Sequence, residues 1–288
     1  MTLKTTLIEN KVAYFFIYHI SKTKTNILNH VIPRINFNLK KLTRVIRLDK
    51  NSPYEKLKLL KNKHKGERCF IVATGPSLTI EDLEKLKNEV TLSMNSICLS
   101  FDETDWRPTY YGVQDVGVFN LLQQSIEKSN MQYKFISSSI SKQNDLSEGY
   151  LVFPLNLLNH MVFHEKYGTK FSDDAFKVVY DGYSITYSMI QLAAYMGFNE
   201  IYLIGVDCNY STNSAQHFKD YGFIEKSSLA VQRMTSAYIE AKKFADRNQM
   251  QIYNATRGGM LEVFERINLD DVLFNESKGL DLASKKTI

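Results

Sequence analysis

Cysteine, tryptophan and proline are scarce in this chain, with three, one and five residues among 288. The cysteines Cys69, Cys98 and Cys208 stand far apart, each in an apolar run, and form neither a zinc-type spacing nor a redox pair. A metal-stapled or disulfide-built fold is therefore excluded, and buried, reduced thiols in a cytoplasmic protein are expected. No G-x-G-x-x-G fingerprint and no G-x-x-x-x-G-K-[ST] loop occurs, so ATP binding by a Walker loop is not expected. Long apolar runs are missing too: Val12 to Ile20 includes His19 and reaches about half of the ~20 residues a bilayer crossing needs. No cleavage-site pattern follows it, so neither a signal peptide nor a transmembrane helix is expected. A D-x-D metal motif at a strand end is also lacking, and the paired carboxylates Asp173-Asp174 and Asp270-Asp271 read as turns and helix starts. No metal and no cofactor is expected.

What is present is an ordinary globular composition, 44% hydrophobic and 23% charged, in a chain long enough for one large α/β domain with an extension. Its charge is uneven. Residues 1–65 hold 15 Lys and Arg against 3 Asp and Glu, a net +12, whereas residues 66–288 hold 21 against 28, a net −7. The first stretch reads as a basic, mainly helical arm and the second as the main domain. Around Leu39, Leu42, Val45 and Ile46, the cations Lys40, Lys41, Arg44 and Arg47 recur at helical spacing. Such a face suits the inner surface of an anionic membrane, and equally a helix packed on the body or on another subunit. A nucleic-acid partner is not expected. Lys61 to Gly66 reads as a flexible linker.

From Arg68 the pattern is strand, turn, helix, repeated. Apolar runs of strand length lie at Cys69–Ala73, Val90–Met94, Thr109–Val113, Lys134–Ser137, Leu151–Phe153, Glu200–Gly205 and Gln251–Tyr253. Thr79 to Asp82 has capping-box spacing, residues 184–196 are apolar nearly all round, and Leu229–Arg247 carries one apolar helical face. The alternation predicts a doubly wound, mostly parallel, Rossmann-like sheet with helices on both faces. Ligands then gather where the strands end, at Thr74, Gly75, Pro76 and Ser77, at Asn95, at Gln114 and Asp115, at Asp207 to Tyr210, and at Asn254, Thr256 and Arg257. Gly75 permits a sharp turn, Pro76 removes one N–H donor, and the hydroxyls of Thr74 and Ser77 can replace it. Glu81 and Asp82 disfavour an anion on the axis of the following helix. The start of the buried helix, Ser184 to Thr186, has no acid in its first turn and is the better anion site.

Four segments carry a resemblance: Gly75-Pro76-Ser77-Leu78, Asp105 to Tyr111, "GFNEIYLIGVDCNY" (197–210) and "IYNATRGGMLEVFERI" (252–267). Together they resemble a bacterial family of 6-hydroxymethylpterin pyrophosphokinase-like proteins, and they are similar to the sialyltransferases of glycosyltransferase family forty-two. The likeness spans roughly residues 66–267. It implies a GT-A-variant sheet, a nucleotide-sugar donor, a glycan or lipid-linked glycan acceptor of the bacterial surface, and metal-independent transfer. Thr74 to Ser77 would lie at the donor phosphates, Asn95 beside the nucleotide with Gln114 near a second family asparagine, and Ser184 and Thr186 at a hydroxyl-bearing turn. Ala73-Thr74-Gly75 departs from the sialyltransferase Gly-Asn-Gly. The family base is a histidine assisted by tyrosines. Here "NYSTNSAQHFKDYGF" offers Tyr210, His217 and Tyr221, with His164 as a second candidate base, and Arg257 beside Gly258-Gly259 as a cation for a phosphate or sugar carboxylate. His217 falls nearer a family tyrosine than the family histidine, so its role as base rests on its chemistry.

The leading expectation is a nucleotide-sugar-dependent glycosyltransferase, cytoplasmic or peripheral on the inner face of the membrane, with self-association left open. The alternatives are an ATP- and Mg²⁺-dependent pyrophosphokinase using Asp115 and Asp207, and a non-catalytic subunit of a polysaccharide assembly complex.

Overall fold

The structure is a computed structural model and describes residues 11–49, 52–144, 149–157, 169–210, 216–222 and 229–274. Eight strands form one sheet: β1 Arg68–Val72, β2 Thr91–Met94, β3 Tyr110–Val113, β4 Tyr133–Ser137, β5 Tyr150–Phe153, β8 Glu200–Ile204, β9 Gln251–Asn254 and β10 Glu265–Arg266. They lie in the order β10-β9-β8-β1-β2-β3-β4-β5, and every pairing is parallel. A separate parallel pair joins β6 Leu155–Asn156 to β7 Val179–Tyr180.

Period-two alternation divides the strands between two cores. Cys69, Ile71, Leu92, Met94, Ile201 and Leu203 face one side, with Ile190 and Ala193 of α6 (Ile185–Met196) and Ala237 and Ala241 of α7 (Ala230–Arg247). Phe70, Val72, Tyr111, Val113, Tyr202 and Ile204 face the other, with Leu83 of α3 (Ile80–Lys85) and Val118, Leu122 and Ile126 of α4 (Val116–Lys128). A one-turn helix α5 (Ser138–Ser141) follows β4. The sheet is doubly wound, as the alternating pattern implied. The periodicity reading passed over α4 and the short β6, β7 and β10, which are too brief or too irregular in apolar spacing to announce themselves.

The strand order reverses beside β1. The chain steps outward from β1 to β5 and then crosses back to place β8 on the other side of β1. A crevice opens at such a switch point, beyond the carboxyl ends of β1 and β8. Gly75 N donates to Gly205 O at 2.9 Å, so the two chains stay paired to the crevice floor.

Fully buried Gln191 on α6 orders the approach to that crevice. It accepts from Ser172 N (3.2 Å) and Tyr180 N (3.0 Å) and donates to Tyr180 O (2.7 Å) and Tyr187 O (3.3 Å). All its amide capacity is spent, so a polar side chain sits in the core without a desolvation deficit.

The basic arm is helical: α1 (Lys11–Asn26) passes through a π turn, Ile27–Val31, into α2 (Ile32–Val45). Buried Arg44 pins its end, donating to Phe176 O (2.9 Å) and Lys177 O (2.5 Å) with its guanidinium over the Tyr54 ring. Among the described residues no helix is long and apolar enough to cross a membrane. The linker expected at Lys61 to Gly66 is instead tied down: Asn62, His64 and Gly66 donate backbone N–H groups to Tyr195, Met196 and Gly197. Leu57 and Leu60 are already buried in the core, so the body begins before residue 66. The carbonyls left open at the end of α6 supply the reason, because a nearby chain satisfies them.

Leu203 is wholly buried in β8, between β1 and β9. Leu203→Ala should lower the unfolding free energy by about 2–5 kcal/mol in a urea titration, the range for a core leucine truncation.

Candidate functional site

Two adjoining cavities occupy the crevice. The inner one, about 80 Å³, is bordered by Thr74, Gly75, Asn95, Thr186, Asp207 and Tyr238 among others. The outer one, about 600 Å³, is bordered by Gln114, Asp115, Asp181, Tyr183, Tyr221 and Arg233 among others. Asn95, Ser184, Ile185, Tyr210, His217 and Met234 line both, so they form the wall between the two spaces. The outer volume lies in the range of small-molecule sites.

Three non-glycine residues on this rim have left-handed backbones: Asn95 (φ 47°), Tyr183 (φ 64°) and Cys208 (φ 49°). Asparagine tolerates that region, whereas a tyrosine and a cysteine hold it at a cost of about 1–3 kcal/mol each. The surroundings hold them there. The Asn95 carbonyl accepts from the Tyr111 hydroxyl at 2.8 Å, and Tyr183 N donates to Asp181 Oδ2 at 3.1 Å. Strain of this kind concentrates at ligand sites, and here it marks three of the crevice's corners.

The Gly-Pro-Ser turn is committed to Asp207. Ser77 Oγ donates to Asp207 Oδ2 at 2.8 Å, and Ser77 N reaches the same oxygen at 3.4 Å. A Cβ on Gly75 would stand 2.0 Å from that oxygen and 2.5 Å from Gly205 O, which is why the position is glycine. Neither Pro76 nor Ser77 borders either crevice cavity, and a phosphate on the turn would face the Asp207 carboxylate. The phosphate grip expected of Thr74 to Ser77 is thus reduced to Thr74 and Gly75 at the floor. Thr74 also holds the roof, since its carbonyl accepts from Phe218 N at 2.7 Å next to His217.

Arg257 is corrected in the same way. Its guanidinium donates to both oxygens of nearly buried Asp82 (2.6 and 2.5 Å) and to Ser77 O (2.9 Å), and it borders neither crevice cavity. Burial alone would push the Asp82 carboxyl up, but hydrogen bonds from Arg257 and Thr79 hold it below its ordinary value. Asn254 and Thr256 also serve the fold: Asn254 Nδ2 donates to Leu261 O, and Thr256 Oγ1 accepts from Val206 N. Both are buried and border neither cavity.

Ser184 and Thr186 border the inner cavity. Ser184 Oγ accepts from Thr186 N at 3.2 Å and caps α6, whose first turn holds no acid. The positive end of a twelve-residue helix therefore opens at the wall between the cavities. Gln114 lines the outer cavity but is held, donating to Asp181 Oδ1 (3.0 Å) and accepting from Ser188 Oγ (2.7 Å). Asp115 caps α4 by accepting from Val118 N at 2.9 Å.

His217 lies on the shared wall with its ring 5.0 Å from that of Tyr221. Burial, with Asp115 nearby, pushes the Tyr221 phenol well above its ordinary value, so it stays a proton donor at neutral pH. The Tyr210 hydroxyl lies 3.7 Å from Met234 Sδ on the same wall. His160 and His164 lie outside the described residues.

Arg233, which sequence reasoning missed, is the one Lys or Arg bordering either cavity among the described residues. It sits on α7 with its guanidinium 5.7 Å from the Tyr183 ring centre. A basic residue inside an amphipathic helix looks solvated in sequence, and only the packing of α7 over the crevice turns it inward. Among the described residues no cluster of three or more His, Cys, Asp or Glu side chains is placed to hold a metal ion.

A family model described as 6-hydroxymethylpterin diphosphokinase MptE-like matches residues 44–213. Solved structures similar to the chain include a MAf glycosyltransferase from Magnetospirillum magneticum AMB-1, with a TM-score of 0.46 and 17% identity, covering 75% of this chain and 38% of that one. The sialyltransferase CstII from Campylobacter jejuni, in complex with cytidine-5'-monophosphate, has a TM-score of 0.44 and 16% identity, covering 70% of this chain and 85% of that one. The chain thus spans 38% of the length of the MAf protein. No curated protein matches by sequence.

Two outcomes follow from this geometry. The contribution of the Asp82 pairing should be complete above the carboxyl's ordinary value of 3.8 and fade as pH falls through its lower folded value. Asp82→Asn should therefore lower thermal stability at pH 7 more than at pH 3, as read by circular dichroism melts. Burial raises the Cys98 thiol to about 11, and burial with Asp207 raises Cys208 to about 12. With Cys69 also wholly buried, a chromogenic disulfide reagent at pH 8 should titrate these thiols only after unfolding.

Proposed function

The chain belongs to the 6-hydroxymethylpterin diphosphokinase MptE-like family, and from the crevice geometry we propose a transferase that moves a glycosyl group from a nucleotide sugar to a glycan hydroxyl. The observation that carries the reading is the placement of His217 on the wall between two spaces, beside Ser184 and the opening of α6. Group transfer between two substrates needs a proton acceptor at their junction and a site for the departing anion.

In this reading His217 takes the proton of the acceptor hydroxyl as its oxygen attacks the anomeric carbon. The bond from that carbon to the donor phosphate breaks, and the nucleotide leaves with the electron pair. The helix start at Ser184 to Thr186 and the Arg233 guanidinium bear the charge that develops on the phosphate. Tyr221 donates a hydrogen bond to it, consistent with a phenol kept protonated. Asn95 and Thr74 approach the nucleotide from the crevice floor. The acceptor enters by the outer cavity, past Gln114 and Asp115.

The carboxylates favour this reading over pyrophosphoryl transfer. Asp207 holds the Ser77 turn, Asp181 accepts from Gln114 and Tyr183, and Asp115 caps α4. Among the described residues these carboxylates form no group of three or more metal-ligating side chains, which supports glycosyl transfer over a Mg²⁺–triphosphate reaction.

His217→Ala should lower transfer by about 10²–10⁴-fold, the usual worth of a general base, while leaving nucleotide affinity within a few-fold. Wild-type transfer from a panel of CMP-, UDP- and GDP-sugars should persist in excess chelator. Formation of AMP from ATP that stops with chelator would replace this reading with pyrophosphoryl transfer. Full transfer by the His217 variant would remove the base assigned here.

A further inference from the structure

The arm carries a second feature that the crevice does not use. Ile32, Ile35, Leu39, Leu42 and Ile46 recur at spacings of three and four, and each is between 40% and 54% exposed. The stripe continues across the π turn to Leu28 and Ile27 and on to Ile20 and Phe16, which border one open apolar groove. This is the a/d pattern of a helix pair, on a helix face left exposed among the described residues. Opposite it, Pro33, Phe37 and Lys41 are half-buried and Arg44 is buried against the body. The arm is thus held by its back, with the stripe outward.

The charge pattern selects the occupant. Within α2, helical geometry puts Asn36 and Thr43 along one flank of the stripe and Asn38 and Val45 along the other. Neither flank of α2 carries a charge, whereas Lys24 borders the groove beyond the π turn. The cations Arg34, Lys40, Lys41 and Arg44 fall on the far side of the helix, around the edge that docks on the body. A helix lying in an anionic membrane needs its cations beside the apolar face, where they reach headgroups. Two copies of α2, by contrast, meet across uncharged flanks with their like charges directed apart. From Ile32 on, the stripe has Ile at two of its three a positions (Ile32, Leu39, Ile46), with Ile35 and Leu42 at d. That bias favours two strands.

We infer that the arm pairs with the arm of a second copy of this chain, forming a dimer through the Leu28 to Ile46 stripe. The cations of α2, Arg34, Lys40, Lys41 and Arg44, lie away from the stripe, so within α2 the net +12 of residues 1–65 does not oppose pairing.

Sedimentation velocity on the full chain tests this. The wild type should sediment at twice 33.3 kDa. The double variant Ile35→Glu with Leu42→Glu should fall to one copy, with the melting midpoint and far-UV spectrum of the body unchanged, since both side chains are exposed in the single chain. Lys40→Glu, on the far side, should stay dimeric. A wild type of one copy, a species larger than two, or a double variant that stays dimeric would overturn the inference. Flotation of a single-copy wild type with phosphatidylglycerol vesicles would assign the stripe to lipid instead.

Discussion

The Asp207 carboxylate is the knot on which the crevice depends. It lies just past β8, accepts from the Ser77 hydroxyl, and occupies the space a side chain at Gly75 would take. Its backbone is gripped from the other side: Met260 N donates to Asp207 O at 2.7 Å, and a Cβ on Gly259 would come within 2.8 Å of that oxygen. Three loops, from β1, β8 and β9, are therefore fixed against one residue. Two glycines are needed because backbone and carboxylate approach closer than any Cβ permits.

That arrangement decides the electrostatics of the site. The turn that looked like a phosphate grip holds an acid instead, and two further carboxylates, Asp115 and Asp181, border the outer cavity. Positive potential remains at the opening of α6 and at Arg233, one supplied by aligned peptide dipoles and one by a guanidinium. The opening of α6, across the crevice from the Gly-Pro-Ser turn, is thus the more favourable surface for an anion in the proposed reaction.

Gln191 and Arg44 perform comparable work outside the site. Gln191 fixes the stretch from Ser172 to Tyr180 onto α6, which sets the entry angle of Asp181 to Ser184. Arg44 fastens the arm to the Phe176 and Lys177 carbonyls of the neighbouring stretch. The arm and the crevice are thus attached to one segment by buried hydrogen bonds, each satisfying carbonyls that the small β6–β7 pair does not reach.

Local rules were enough for seven of the sheet's eight strands. Alternating apolar residues in β1, β2, β3 and β8, a capping box at Thr79, and Gly197 past α6 announce their elements because strand alternation and helix capping depend on near neighbours alone. The post-strand residues were legible for the same reason, as were Ser184, Thr186 and the grouping of Tyr210, His217 and Tyr221 near the strand ends. Which of those residues face the crevice was not. Ser77, Asn254, Thr256 and Arg257 have the right chemistry at the right chain positions, yet they spend it on Asp207, Leu261, Val206 and Asp82. Arg233 looks like a surface cation and borders the outer cavity. A side chain's identity travels with the chain, but its partner comes from another element or loop, 50 to 175 positions away for Thr256, Ser77 and Arg257. Only the packed sheet, which brings those distant atoms within hydrogen-bonding reach, assigns it.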